Sequence, residues 1–394
     1  MRRSLLTLVL IAVVLSTGCM GGTNSEWGSS TPSLTEAGDY ATLSQQPGVS
    51  NAEPWAYHDL NLEPTKELEY SLQSGSLSGT DAEVWVVVIE GPADFAKTSA
   101  NWEASSEGIS ANNVVFQVGK NVYYFEIRDS TVYMESGRVI GDLFDFLRLD
   151  DDKYLGWENG ALRLYARSLN KYREKRGVLA YAMTTIDEKP AIVTSLMKNL
   201  TVTIFVNGEA ESEEYTFDCS ILSMHPAFGN GSVADFYMGT TCGFYYVDPN
   251  LNVHDSGLEG VWEIISNDHD EVGSVVLYSS DSGEVVTAYY YWDDEEVYVS
   301  EPLKVEEEPS SASASWFYLA LTQENKIEIY ELGKDSAYHH LGTITFPEQI
   351  LDVKLVQSDE NTLEIGAAWE NGFAYIVVPV SELEGEHALS LEGK

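Results

Sequence analysis

The chain has 394 residues, 63 Asp and Glu against 22 Lys and Arg, a formal net charge of -41, and 44% hydrophobic and 11% aromatic residues. Such an acid excess excludes nucleic acid as a partner, because holding a phosphate backbone needs clustered Lys and Arg that displace counterions, and none are clustered here. A folded core is not excluded: 23 Tyr, 13 Phe and 9 Trp supply the apolar area that disordered chains of similar charge lack. The acid is unevenly spread. Through Arg176 there are 15 bases and 24 acids, whereas the remaining 218 residues hold 7 Lys, no Arg and 39 acids. The bland reading is a surface kept soluble by self-repulsion; a cation-collecting or basic-partner surface is its rival, and either would be repelled by anionic lipid.

Taken in chain order, residues 1–18 have the three parts of an export signal. Met1-Arg2-Arg3 is basic, residues 5–15 form an uncharged, mostly apolar run, and Ser16-Thr17-Gly18 are small. The run is too short to span an apolar layer of about 30 Å as a stable helix. Thr17-Gly18-Cys19 resembles the lipobox of prokaryotic lipoproteins, with Ser16 where that family usually carries Leu. The resemblance implies cleavage before Cys19, a lipid on Cys19, and a location at the cell membrane facing outside the cytoplasm. A plain secretory signal or an uncleaved anchor is the alternative. Arg2-Arg3-Ser4-Leu5-Leu6 also loosely resembles a twin-arginine export signal. Residues 19–54, rich in Gly, Ser, Thr and Pro, read as a disordered tether with a reach of roughly 30 to 35 Å.

The rest, residues 55–394, shows an internal repeat. A tight turn between two apolar strands recurs near Lys120, Gly160, Asn199, Cys242, Gly283, Asn325 and Asn371, at spacings of about 40, 39, 43, 41, 42 and 46 residues. Trp157-Glu158-Asn159-Gly160 returns as Trp369-Glu370-Asn371-Gly372, and Asn-Gly between apolar strands is a strong hairpin signal because both residues accept positive φ. Alternation and short apolar runs, as at 122–127 and 327–330, favour strands over helices. A period near 40 with short strands predicts an all-β fold, a seven-bladed β-propeller after the signal peptide and flexible tether. A weaker unit at 67–91, turning near residue 80, leaves room for an eighth blade. The chain resembles WD-repeat-like and quinoprotein-like propellers in architecture; the Gly-His and Trp-Asp signatures of WD repeats are absent, so no functional residue carries over.

Cys219 and Cys242 flank a turn centred near Gly229 and are the even pair left once Cys19 is lipidated, which makes them a disulfide candidate, with two buried thiols as the alternative. Asn199 and Asn230 head glycosylation sequons.

No catalytic constellation stands out: there is no Gly-x-Ser-x-Gly, no His-Glu-x-x-His, no phosphate loop and no dinucleotide fingerprint. The acidic run 267–271 lacks the spaced Ca²⁺ loop form. Asp150-Asp151-Asp152, Asp293-Asp294-Glu295-Glu296 and Glu306-Glu307-Glu308 read as exposed loops. Adjacent His339 and His340 on a strand would point to opposite faces. Residues 280–286 resemble the turn of quinoprotein blades, but the docking Trp comes late, at Trp292. Neither a metal nor a cofactor is therefore expected. The expected function is binding or assembly, with an extracytoplasmic protein or glycan partner and membrane attachment through Cys19. The alternative is a carbohydrate-active hydrolase or lyase using carboxylates such as Asp142 and Asp145 at the channel.

Overall fold

The computed structural model describes residues 44–45, 55–60, 66–98, 111–150, 152–186, 189–206, 209–226, 236–248, 250–266, 274–291, 296–315 and 317–391. The signal peptide, Cys19, Asn230, Trp292 and the acidic run 267–271 lie outside them. Among the described residues the only helical piece is a 3-10 turn, Val380–Glu382, and no helix is long and apolar enough to cross a membrane.

The strands form antiparallel meanders in a β-propeller arrangement, with five separate sheets of four or five strands and one of ten. The first sheet is Phe95–Thr98, Asn113–Val118, Asn121–Arg128 and Thr131–Arg138. The second is Leu143–Arg148, Lys153–Glu158, Ala161–Ala166 and Lys171–Arg176, with Ala56–Asp59 added at its outer edge. The third is Ala180–Ile186, Lys189–Leu196, Asn199–Val206 and Glu209–Thr216. From within the stretch expected to be tether, Ser44–Gln45 pairs with its last strand, Ser44 opposite Thr216. The fourth is Ile221–Pro226, Phe236–Thr240, Gly243–Val247 and Val253–Glu259. The fifth is Glu263–Ile264, Ser274–Ser279, Glu284–Tyr291 and Glu296–Val299, with Leu303–Lys304 also on Glu284–Tyr291.

The ten-stranded sheet joins the two ends of the chain. One part is Ala312–Ser315, Tyr318–Gln323, Lys326–Leu332 and Tyr338–Thr345; another is Asp352–Asp359, Thr362–Trp369 and Gly372–Pro379. Onto Gly372–Pro379 pair the N-terminal strands Glu83–Ile89 and then Tyr70–Leu77. The last strand, Gly385–Leu391, runs parallel to Tyr338–Thr345 and antiparallel to Tyr70–Leu77. The hairpin expected near residue 80 therefore exists, but it extends the C-terminal sheet.

A repeated hydrogen bond explains why. The amide just past a fourth strand donates to the turn between the second and third: Val139 N to Lys120 O (3.1 Å), Val178 N to Gly160 O (3.0 Å), Phe217 N to Lys198 O (2.8 Å) and Phe346 N to Asn325 O (2.8 Å). Ile89 N makes the same bond to Asn371 O at 3.0 Å, so Glu83–Ile89 takes the fourth-strand place of the C-terminal sheet. These bonds mark one rim of the fold, the linker rim, which carries the second-to-third turns and the links between sheets.

Strands toward the middle of the body are buried on both faces because each sheet packs between two others; Phe236–Thr240 and Ala312–Ser315 are buried at every position. The two faces of Glu83–Ile89 enter different cores. Val84 and Val86 pack with Leu355, Ile365 and Ile376, whereas Val87 and Ile89 pack with Phe116, Phe125 and Phe373.

The two Trp-Glu-Asn-Gly copies fold differently. In the first, Glu158 pairs with Ala161, and Asn159 (φ 46°) and Gly160 (φ 74°) form the turn with positive φ. In the second the pairing slips by one residue, Trp369 opposite Gly372, and neither Asn371 nor Gly372 has positive φ. A one-residue slip exchanges faces: Glu158 is buried and Glu370 exposed. Gly372 is needed for another reason, since a Cβ there would stand 2.3 Å from the Trp369 indole.

A serine ladder joins two neighbouring inner strands that lack backbone pairing. The Oγ atoms of Ser311, Ser313 and Ser315 accept the amides of Val353 (3.3 Å), Leu355 (3.0 Å) and Gln357 (2.9 Å), each 42 residues away. Ser313→Ala should leave the Leu355 amide buried without an acceptor, at a cost of about 1–3 kcal/mol. Urea unfolding measures it, and an unchanged midpoint would reject the ladder as a stabilising device.

Candidate functional site

The innermost strands of the sheets meet side chain to side chain. Lys97, on Phe95–Thr98, pairs with Asp145, on Leu143–Arg148; the two side chains are 3% and 13% exposed. Tyr181 OH donates to Asp145 Oδ2 at 2.6 Å, reaching the third sheet. The third and fourth inner strands touch, and Ser223 Oγ accepts the Ile264 amide at 2.6 Å. Ser266 bridges to Ala312, and the serine ladder continues to Asp352–Asp359. Asp352 closes the circuit: its Oδ2 accepts Thr98 N (2.8 Å) and Thr98 Oγ1 (2.9 Å), while Oδ1 accepts Ser311 Oγ (2.5 Å). The alternating face of each strand puts these groups inward.

Against this lining sits a cleft of about 250 Å³, walled by Asp94, Phe95, Ala96, Lys97, Phe144, Leu351 and Asp352. Burial pushes the Asp352 carboxyl above its ordinary range, opposed by the Lys97 charge and by the hydroxyl and amide donors. Burial, then the neighbouring Asp145 carboxylate, holds the Tyr181 hydroxyl well above the usual range. Chemically, both carboxylates are engaged by protein donors and the lysine by a carboxylate, so these charged groups chiefly hold the inner strands together.

A second buried network lies within the second sheet. Arg163 reaches Glu158 Oε2 and Glu174 Oε2, each at 2.8 Å. Glu158 also accepts Tyr165 OH and the Gly141 amide, and Arg176 Nε donates to Glu174 at 2.5 Å. The two Arg charges hold the Glu174 carboxyl below its ordinary range despite its burial.

The sequence candidates do not converge. Asp142 is exposed, 3.4 Å from Lys120, while Asp145 is half-buried and paired with Lys97, so the two do not face each other across a channel. His339 bonds Asp335 at 3.2 Å and His340 bonds Thr343 at 3.1 Å, on separate partners. Glu306, Glu307 and Glu308 are exposed. Asp150 instead caps its own turn, accepting the amides of Asp152 and Lys153. No group of three or more His, Cys, Asp or Glu could hold a metal among the described residues. Asn199 is exposed on the linker rim. Sequence reasoning missed Lys97, Tyr181 and Asp352; only the Ser-x-Ser-x-Ser alternation at 311–315 signalled an inner strand.

Cys219, in the link before Ile221–Pro226, and Cys242, in the turn after Phe236–Thr240, are joined with their Cα atoms 6.0 Å apart. Thr241 N donates to Ser220 O across the same two segments at 3.0 Å. A non-reducing peptide map should yield the Cys219–Cys242 pair, and the double serine variant should lose about 2–4 kcal/mol; free thiols at both positions would refute the bridge.

The fold and lining thus define an all-β protein in a β-propeller arrangement. No family model matches the sequence, and no curated protein matches it. Among solved structures, the chain is similar to the AfRom2 CNH domain, with 13% identity and a TM-score of 0.43 over 72% of this chain and 94% of that one.

Proposed function

We infer that the protein is a lipid-anchored, seven-bladed β-propeller that acts as a binding or assembly scaffold for a partner outside the cytoplasm. The blade count takes the ten-stranded sheet as two blades, the second completed by the N-terminal strand Glu83–Ile89 in its fourth place. Closure of this kind lets both chain ends hold the ring, and it leaves the 67–91 hairpin without a blade of its own.

The observation that carries the scaffold reading is the inward lining: Lys97, Asp145, Tyr181 and Asp352 are bound to one another or to neighbouring strands. A general acid or nucleophile must instead reach a substrate atom. The hydrolase reading draws on the raised Asp352 carboxyl beside the cleft, yet each of its oxygens already accepts from Thr98 or Ser311. Partner choice then falls to the outer surface, where acid dominates the later sheets and suits a basic protein surface or a cation-bearing ligand.

Membrane attachment is tested by Cys19→Ser. The variant is expected in the soluble extracytoplasmic fraction while the parent chain stays with the membrane; equal retention of both would reject lipidation at Cys19. Crosslinking of the full chain in its own envelope, followed by mass mapping, should place partner crosslinks on residues 209–391. Crosslinks confined to the earlier sheets would reject the acidic face as the partner surface.

A further inference from the structure

Of the large apolar side chains exposed on the body, five lie on the linker rim of three consecutive sheets: Ile140, Phe144, Leu179, Leu196 and Met197, 37% to 63% exposed. They follow one another in space. Phe144 meets the Trp157 ring at 5.8 Å, Trp157 Nε1 bonds Val178 O at 3.2 Å, and Leu179 N bonds Ser195 O at 2.8 Å beside Leu196 and Met197.

Charge on this sector is unlike the rest of the chain. Residues 113–206 hold 13 Lys and Arg against 12 Asp and Glu, leaving 9 against 51 elsewhere. Exposed Lys120, Arg176 and Lys198 stand on the same rim. A body that is strongly acidic overall therefore has one near-neutral, apolar-tipped sector.

The path of the chain points the same way. Ser44 pairs with Thr216, and the next residue, Phe217, bonds Lys198 O on the linker rim. The described chain thus begins on that rim, at Ser44, 25 positions after Cys19 in the sequence.

We propose that the linker rim of the first three sheets, tipped by Phe144, Leu179, Leu196 and Met197, rests on the outer surface of the membrane that holds the Cys19 lipid. The proposal depends on lipidation at Cys19. Apolar tips enter the interfacial layer while basic side chains stay at headgroup level, and the near-neutral sector is the one that an anionic surface repels least. The acidic later sheets are then left for the partner.

Hydroxyl-radical footprinting of the full lipidated chain in phosphatidylcholine vesicles tests this, with vesicle flotation run in parallel. Met197 oxidation should fall several-fold relative to the vesicle-free Cys19→Ser chain, while Met134, on an outer strand and 39% exposed, should be unchanged. A chain that floats but oxidises Met197 as fast as the vesicle-free chain overturns the face and leaves the anchor standing. Failure to float overturns both. Met197 protection that appears without vesicles and grows with protein concentration overturns the proposal in favour of a second copy on the rim.

Discussion

Replacing Asp145 with alanine should lower the unfolding free energy by about 3–5 kcal/mol, because it strands the Lys97 ammonium in the lining. Lys97 is 2% exposed, and its partner also accepts the Tyr181 hydroxyl, so the substitution removes the paired carboxylate from a largely desolvated ammonium and the acceptor from a buried hydroxyl. Lys97→Met combined with Asp145→Asn should recover most of the loss, since replacing a buried pair together is often near neutral. Chemical denaturation monitored by Trp fluorescence reads both variants. A single-variant loss below about 1 kcal/mol would place the pair in the surface class, with water already reaching it.

Val87→Asp is expected to cost more than about 4 kcal/mol and to prevent the chain from closing, because it puts an unpaired carboxylate into the core formed with Phe116, Phe125 and Phe373. Val87 is fully buried and stands opposite Phe373. Ser74→Asp, on the exposed outer strand of the same hairpin, should stay within about 0.5 kcal/mol. Protease resistance of the 55–391 body separates them: if Val87→Asp remains as resistant as Ser74→Asp, the N-terminal hairpin does not hold the ring.

Every one of the repeated turns read from the sequence joins two paired strands, from Val118 opposite Asn121 to Trp369 opposite Gly372. They were legible because apolar strands flanking short polar or Gly turns are local signals. The same signal located the hairpin at 67–91, but a local hairpin says nothing about which sheet its outer edge joins. Identical Trp-Glu-Asn-Gly words also took two registers, and Glu158 became part of a buried network only because Arg163, Tyr165 and the Gly141 amide surround it.

By itself, the sequence determined the strand content, the period near 40 residues, the export-like N-terminus and the skew of charge toward the later half. Those properties are sums over residues or patterns within a few positions. Tertiary structure alone decided that Lys97, Asp145 and Tyr181 share one lining, that Asp352 joins the Thr98 and Ser311 strands, and that the apolar tips of three sheets share a rim with the Ser44–Thr216 pairing. Each of these joins residues tens to hundreds of positions apart, and such pairings follow from how sheets stack around the ring, which no local pattern encodes.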